Sequence, residues 1–180
     1  CNIIYSKVFQ SLSSGIHILR ADEIKYLSQF NDNVPFNLND IYDINMIVSA
    51  LNKKCNTTIE ISSVSPVKSG VISVVYYGTL NGEDIILKVK RRDIDKNLNE
   101  ALSNIGNIIN VLSYIPWLSR LYLPTIFEEN RCDMTSQLDF LNEVCNIKLY
   151  QHSFKNVDYV KIPNVYDKFT YVDDRVIVME

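Results

Sequence analysis

The sequence predicts an α+β fold: a five-stranded antiparallel sheet with a long helix behind it, preceded by a helical extension. Three observations predict this class. Two strand-like stretches, Val71–Leu80 and Asp84–Lys90, are joined through Asn81-Gly82, a pair typical of a tight hairpin turn because both residues tolerate positive φ. Segments with helical spacing of apolar residues flank this hairpin on both sides. Two further strand-like segments end the chain.

Before the hairpin, the pattern predicts three helices and one strand. Residues 2–14, 22–30 and 40–54 each place apolar side chains three and four positions apart, which is the spacing of one helical face. Residues 57–62 alternate polar and apolar side chains and form the predicted first strand. The predicted order is therefore three helices and then the sheet.

After the hairpin, Asp93 is the predicted N-cap of an amphipathic helix that ends at Pro116. Thr125–Glu128 forms a capping box, so another helix is predicted from there to about Phe154, interrupted, if at all, near Cys132. Its expected inward stripe consists of Leu138, Leu141, Cys145 and Leu149. The last predicted elements are two strands, Lys161–Phe169 and Arg175–Glu180, joined by a turn at residues 172–174.

Lys88 is the residue of the hairpin that most suggests chemistry, because it lies in a strand otherwise rich in Ile, Leu and Val. A lysine there is either an edge-strand solubiliser or an anion contact. Upstream, Lys68, Ser69, Gly70 and Ser73 open the hairpin. Backbone N–H groups approach a phosphate closely only where side chains are small, so this loop favours the anion contact. Spacing alone leaves both interpretations open.

Composition limits the classes of function. The chain has 180 residues, a net charge of −3 and a pI of about 5.4, with no basic block, so nucleic-acid binding is not expected. No apolar run approaches the roughly 20 residues of a membrane helix, and no signal peptide is visible. The four cysteines form no CxxC pair, so we expect reduced thiols in an intracellular compartment and no metal site. Because the chain begins at Cys1, we expect it to be part of a longer protein.

Five stretches carry motifs of one known family. Pro66–Gly82 follows the pattern PIAAASIGQVYRATLxDG, and Ile85–Arg91 follows VAVKVQR. Gln137–Asn146 is similar to ELDFxxEAxN, and Ile162–Glu180 is similar to VPxVY followed by RVLVME. Lys7–Gln10 is similar to KxGQ. Over almost the whole chain, these motifs resemble the UbiB-like atypical kinases, the family tied to coenzyme Q synthesis.

The resemblance implies a protein-kinase-like small lobe, with residues 1–56 as a KxGQ-like helical extension and residues 57–180 as the lobe, truncated at the hinge. It implies that Lys88 holds the phosphates of ATP or ADP with Mg²⁺ and that Glu143, on the helix behind the sheet, pairs with Lys88. The implied nucleotide-binding residues are Lys68, Ser69, Gly70, Ser73, Ile86, Lys88, Met179 and Glu180. The implied partners are a nucleotide and a large catalytic lobe, and a membrane or lipid association follows from the resemblance alone.

The resemblance also implies a regulatory role for the extension. Lys7 and Gln10 lie three positions apart on one helical face and would cover the nucleotide site near Gln137 and Asp139. Phe9 stands where the family has the glycine of KxGQ, and Gln137 stands where it has the glutamate of an ExD motif. The other departures are Lys68–Val71 in place of the alanine run, Ser73-Val74 in place of Gly-Gln, and Ile86 in place of a small alanine beside adenine.

Three interpretations of function remain at this point. The first is the nucleotide-binding small lobe of an atypical kinase or ATPase. The second is a degenerate pseudokinase lobe that acts as a scaffold or regulator. The third is an unrelated α+β domain whose hairpin imitates a nucleotide loop, with Lys88 as a solvated strand lysine and Glu143 as a helix-surface glutamate. Asp139 is interpreted as a supporting or metal-facing carboxylate.

Overall fold

The structure is a computed structural model and describes residues 34–116 and 122–180. The predicted helices at residues 2–14 and 22–30 lie outside the described residues. The chain divides into two compact units: a sheet unit of Asp32–Arg92 and Asp139–Glu180, and a helical unit of Cys1–Asn31 and Asp93–Leu138. Among the described residues, no helix is both long enough and apolar enough to cross a bilayer.

The sheet unit is built on an antiparallel five-stranded sheet, as predicted. The strands are paired in the order β1-β3-β4-β5, and β2 pairs with the start of β3 beside β1. Their bounds are Ile59–Ile61 for β1, Lys68–Ser69 for β2, Ser73–Leu80 for β3, Glu83–Lys90 for β4 and Val176–Met179 for β5.

The predicted hairpin of β3 and β4 is confirmed. Asn81 has φ 52° and Gly82 has φ 91°, the pair of positive angles that a tight turn of this type requires. Pairing runs without a bulge from Leu80 opposite Glu83 to Ser73 opposite Lys90. The hairpin therefore fixes the register that places every side chain of β4.

One face of the sheet is covered by helix α1, Ile44–Cys55, which begins at the cap Asp43. The Asp43 carboxylate accepts a hydrogen bond from the Asn45 backbone N–H at 3.0 Å. The helix buries Ile44, Ile47, Val48 and Leu51 in the same core as Ile59, Val74, Leu87 and Val178 of the sheet. The division expected at residue 56 stays a prediction, but α1 before it and β1 after it share this core.

The helical unit contains α2, Ile94–Ser113, and α3, Leu123–Ser136. Helix α2 begins after Asp93 as predicted, but Asp93 caps it without a side-chain hydrogen bond, because its backbone is left-handed with φ 55°. The capping box expected at Thr125–Glu128 is wrong. Helix α3 already begins at Leu123, with Tyr122 as N-cap, so Thr125 lies inside its first turn.

The prediction of a helix from Thr125 to about Phe154, broken if at all near Cys132, is also wrong. Helix α3 runs through Cys132 and ends at Ser136, and a separate helix α4, Phe140–Ser153, follows. The expected inward stripe fails as well. Leu138 is buried, but Leu141, Cys145 and Leu149 are exposed. Phe140 and Val144 face inward instead, because the new start at Asp139 changes which face of the helix meets the sheet.

The strand predicted at Lys161–Phe169 is wrong. Val165 makes only an isolated bridge to Met179, and the chain then forms helix α5, Asp167–Val172. The helix turns Phe169 into the sheet core, where its side chain is fully buried. The sheet still has five strands because β2, which the sequence pattern does not mark as a strand, takes the place of the missing one.

Candidate functional site

Lys88 and Glu143 form an ion pair inside the sheet unit. Lys88 lies in the middle of β4, opposite Val75 on β3 and Ile177 on β5, so it belongs to an inner strand rather than an edge. Glu143 lies in the first turn of α4. The Lys88 Nζ is 2.6 Å from Glu143 Oε1 and 2.7 Å from Glu143 Oε2, although the two residues are 55 positions apart. The side chains remain 27% and 32% exposed, so the pair borders solvent.

The aromatic ring of Phe140 lies next to the Lys88 ammonium of this pair. Its ring is buried with Val144 and Ile177, and the Lys88 ammonium lies 5.0 Å from the ring centroid. The ammonium of Lys90, which is also buried, lies 5.2 Å from the same centroid. Such contacts attract a cation to the ring face. The sequence analysis missed Phe140 and Lys90, although the alternation of Lys88 and Lys90 along β4 was a usable signal.

The loop predicted to approach phosphate, residues 69–73, is folded back on itself. The Gly70 backbone N–H donates to the Ser73 carbonyl oxygen at 2.8 Å. Val71 and Ile72 are buried, as are Ser69 and Ser73, whereas Lys68 is exposed. The Ser69 hydroxyl already accepts a hydrogen bond inside the protein. Its partner is Arg91, a residue that the sequence analysis did not single out.

Arg91 follows β4 and is 5% exposed. Its Nη2 donates to the Ser69 hydroxyl at 2.7 Å and to the Val34 carbonyl oxygen at 3.2 Å. Burial lowers the pKa of its guanidinium, an effect opposed by the carboxylate of Asp40. A single arginine after a strand carries no sequence signal of burial, which is why it was missed.

The expected hinge side of the site lies at the end of β5. Ile86 on β4 pairs with Met179 on β5, and both side chains are partly buried. Glu180 is held by Asn164: its backbone N–H donates to the Asn164 carbonyl oxygen at 2.9 Å, and its carboxylate accepts from the Asn164 side chain at 2.8 Å. The structure thus places an apolar pair across β4, which carries Lys88, and the edge strand β5, and a hydrogen-bonded backbone segment directly after β5.

Asp139 is the N-cap of α4, and its carboxylate accepts a hydrogen bond from the Asn142 backbone N–H at 2.9 Å. Asp139 therefore lies at the boundary of α4 rather than within the helix. Gln137 is the C-cap of α3, in the helical unit. Lys7 and Gln10 lie outside the described residues, so their approach to the site stays a prediction.

A cavity of about 390 Å³ lies elsewhere in the sheet unit, at the end of α4. Phe154, Lys155 and Lys161 line it together with the segment that leads to Asn164. Asn164 also lines the cavity, and its side chain donates a hydrogen bond to the carboxylate of Glu180, a predicted site residue. None of the predicted site residues between Lys68 and Glu180 lines this cavity.

Comparison with known proteins places the chain in a family. A family model described as the ABC1 atypical kinase-like domain matches residues 29–180. A chloroplastic protein of Arabidopsis thaliana named ACTIVITY OF BC1 COMPLEX KINASE 8 is 23% identical over 98% of this chain and 23% of its own length. A probable protein kinase UbiB from Shewanella sp. (strain W3-18-1) is 27% identical over 98% of this chain and 32% of its own length.

A protein of Clostridium pasteurianum, from the 5′ region of hydrogenase 1, is 30% identical over 98% of this chain and 33% of its own length. Among solved structures, Rv3197 of Mycobacterium tuberculosis, in complex with erythromycin, matches with a TM-score of 0.57 at 16% identity. That match covers 78% of this chain and 36% of the other, and it shows the fold alone. The chain spans a third or less of these curated relatives. With the ABC1 model matched over most of its length, the chain belongs to the ABC1 atypical kinase-like family, as the UbiB-like motifs predicted.

Proposed function

We propose that the sheet unit is the nucleotide-binding small lobe of an atypical kinase or ATPase and that Lys88 contacts the nucleotide phosphates. The observation that carries this proposal is the Lys88–Glu143 pair, with an ammonium on an inner strand and a carboxylate on the helix behind it. In kinase-like folds this pair orients the lysine toward the phosphates. Membership of the ABC1 family supports the same assignment.

The residues present fit a nucleotide. Lys88 has three donor protons, and its partial exposure leaves the ammonium open to an additional oxygen acceptor. The Ile86–Met179 pair offers an apolar surface next to it, suited to the flat face of a base. Within residues 34–116 and 122–180, no three His, Cys, Asp or Glu side chains are placed to hold a metal.

The bound Mg-nucleotide would supply a transferable phosphoryl group. This chain's own contribution is positioning and charge: Lys88 neutralises phosphate oxygens, and Glu143 keeps the lysine aimed by a hydrogen-bonded pair. The aromatic ring of Phe140 attracts the Lys88 ammonium and helps to hold it in position. Phosphoryl transfer itself needs an aspartate and metal ligands, which in kinase-like folds come from a second lobe.

The test is nucleotide binding by the full-length protein, measured by calorimetry with MgATP. Lys88→Met removes the ammonium, and we expect the Kd for MgATP to rise by about tenfold or more, because a charge-assisted contact is lost. Lys53→Met is the matched control, since Lys53 is an exposed lysine in the last turn of α1 and should leave the Kd unchanged. If both variants bind MgATP as wild type does, Lys88 is not a phosphate contact.

A pseudokinase scaffold is the second candidate, and the loop at residues 69–73 favours it. Val71, which stands in the family's alanine run, is buried, and the Ser69 hydroxyl is taken by Arg91. A loop committed to internal contacts has fewer groups to offer a phosphate. The two candidates separate in the same preparation: an enzyme turns over bound MgATP, whereas a scaffold binds partners without turnover even when Lys88 and Glu143 are intact.

A further inference from the structure

Arg91 is a buried cation of the sheet unit, and its hydrogen-bond acceptors lie in two separate segments of the chain. It lies three positions beyond Lys88, directly after the end of β4. Its side chain contacts two stretches of chain that are distant in sequence. The first is residues 34–36, which precede α1. The second is the loop at residues 69–73. A residue that contacts both can couple their positions.

The contacts to the first stretch are made through the guanidinium. Nη2 donates to the Val34 carbonyl oxygen at 3.2 Å, Nη1 reaches the Pro35 carbonyl oxygen at 3.5 Å, and the guanidinium carbon lies 6.0 Å from the Phe36 ring centroid. The Val34 backbone N–H in turn donates to the Ser69 carbonyl oxygen at 2.7 Å. Residues 34–36 are thus joined directly to the beginning of the loop.

Arg91 holds the loop at two points. Its Nη2 donates to the Ser69 hydroxyl at 2.7 Å, and its own backbone N–H donates to the Ile72 carbonyl oxygen at 2.9 Å. The bond from the Gly70 N–H to the Ser73 carbonyl oxygen closes the loop between these points. A Cβ added at Gly70 would lie 3.3 Å from the same oxygen, so the closed form leaves little room there.

The chemistry of these contacts requires an arginine. The acceptors are neutral, two backbone carbonyls and a hydroxyl, and they belong to two separate segments of the chain. A planar guanidinium offers five donors in a fixed fork and can serve several such acceptors at once, whereas an ammonium is a single point charge. The Nε of Arg91 is buried without a hydrogen-bond partner, so the side chain is held here at a cost in desolvation.

We propose that Arg91 is a positioning residue that ties residues 34–36 to the loop at residues 69–73, so that the shape of this loop, whose Ser73 pairs with Lys90 on β4, depends on the segment before α1. This rests on the proposed function and extends it, because it also takes the loop, which the sequence predicts to approach phosphate, as part of the nucleotide site. Displacement of residues 34–36 would break the Val34 and Pro35 contacts of Arg91 and loosen Ser69 with them. The segment before α1 would then control how tightly the lobe holds phosphates.

The test uses the full-length protein with Arg91→Lys, which keeps the charge but loses the fork. The matched control is Arg92→Lys, because Arg92 is the neighbouring arginine, is exposed and does not contact the loop through its side chain. In nucleotide-free protein, we expect amide hydrogen exchange at residues 70–73 to become about tenfold faster in Arg91→Lys and to stay unchanged in Arg92→Lys.

Binding provides the second measurement. Arg91→Lys should raise the Kd for MgATP by about tenfold and leave the Kd for adenosine unchanged, because adenosine has no phosphate for the loop to hold. A purely structural role would lower the melting temperature without changing the ratio of the two Kd values, and that result would overturn the proposal. So would unchanged exchange at residues 70–73, or faster exchange with an unchanged Kd for MgATP.

Ser69→Ala covers the case in which Arg91→Lys fails to fold. It removes only the hydroxyl that accepts from Arg91, and loop exchange should rise in the same direction by a few fold, about one hydrogen bond's worth. Unchanged exchange in this variant also counts against the proposal. If wild-type protein binds no nucleotide, the proposed function fails, while the exchange of the loop still reports on Arg91 alone.

Discussion

At the scale of single residues, the Lys88–Glu143 pair is held together by its surroundings as much as by its charges. A lysine on an inner strand loses hydration, and removing its partner would leave a partly buried charge uncompensated. The ring of Phe140 and the carboxylate of Glu143 both compensate for that loss. Because both side chains remain partly exposed, solvent screens the attraction between their charges.

A double-mutant cycle on Lys88→Met and Glu143→Gln measures this coupling. We expect the free energy of unfolding to show an interaction of about 1 kcal/mol between the two sites, which is typical of a partly exposed pair. Raising the salt concentration should reduce the coupling, since the pair borders solvent. Urea unfolding at low and high salt is the measurement, and additive single-variant effects at both would show that the contact carries no stability.

Asp173 and Arg175 form a second charged pair, between α5 and β5. Burial raises the pKa of Asp173, but the hydrogen bonds from Arg175 outweigh this effect and hold the pKa below its ordinary value. A carboxyl with a depressed folded pKa stabilises the fold above its unfolded pKa and loses that contribution as the pH falls through the folded pKa. Its effect on stability should therefore be complete at neutral pH and vanish in acid.

The corresponding prediction compares wild type with Asp173→Asn by urea unfolding. At pH 7 the variant should be less stable by about 1 kcal/mol or less, because Arg175 is partly exposed. The difference should close as the pH falls below about 4, the unfolded carboxyl value. Asp174→Asn changes the neighbouring exposed carboxylate and should matter by less than about 0.5 kcal/mol at either pH. A difference for Asp173→Asn that is constant with pH contradicts the assignment.

At the scale of elements, helix α4 matters most, because its start decides where Glu143 points. The chain leaves α3, passes Leu138 and restarts at Asp139, whose carboxylate caps the new helix. Four positions later, one helical turn brings Glu143 to Lys88. The capping contact is therefore also a determinant of the ion pair.

Replacing Asp139 separates its capping role from the charged, metal-facing role that its sequence context suggested. Asp139→Ala should destabilise the protein by about 1 kcal/mol, since the first turn of α4 loses its cap. Asp139→Asn should be close to wild type, because an asparagine oxygen accepts the same bond from Asn142. Thermal unfolding and the Kd for MgATP are both measured. Loss of MgATP binding in Asp139→Asn with unchanged stability would instead indicate that the charge itself serves the site.

The elements that the sequence predicted correctly are those whose own residues favour the observed turn or helix. Asn81-Gly82 fixes a turn by backbone chemistry alone, and α1 shows a regular apolar stripe closed by the cap Asp43. The failures have tertiary causes. Residues 161–169 have strand-like composition, but burial of Phe169 in the sheet core is achieved by a helix. Leu141 and Leu149 have helical spacing, yet the cap at Asp139 turns them to solvent.

The same division holds for the candidate site. Lys88 and Glu143 could be named from motif order, and the structure brings them together. What they bind stays a prediction. Arg91 and Phe140 stand at matched motif positions, but their roles could not be named, because these roles arise from contacts with Ser69 and Lys88 that no local pattern encodes.

At the scale of the whole molecule, the sheet unit is discontinuous in sequence. Asp32–Arg92 supplies α1 and β1 to β4, whereas Asp139–Glu180 supplies α4, α5 and β5, and the Asp93–Leu138 part of the helical unit lies between them in the chain. Four residue pairs join β4 to β5, and the buried core mixes side chains from both segments. The Lys88–Glu143 pair joins the same two segments. The site therefore exists only when both segments are folded together.

This architecture predicts that the chain survives a cut in the helical unit. A specific protease site introduced after Tyr114, whose side chain is 87% exposed, would be cleaved in the full-length protein. We expect the two fragments to stay associated in native buffer and to keep the MgATP affinity of the intact protein, because β4–β5 pairing and the shared core do not depend on that peptide bond. Native mass spectrometry and calorimetry are the measurements. Cleaved protein in urea is the control, and its fragments should separate as the core unfolds. Separation in native buffer would mean that contacts between the two segments are too weak to hold the sheet, and that the helical unit acts as the necessary tether.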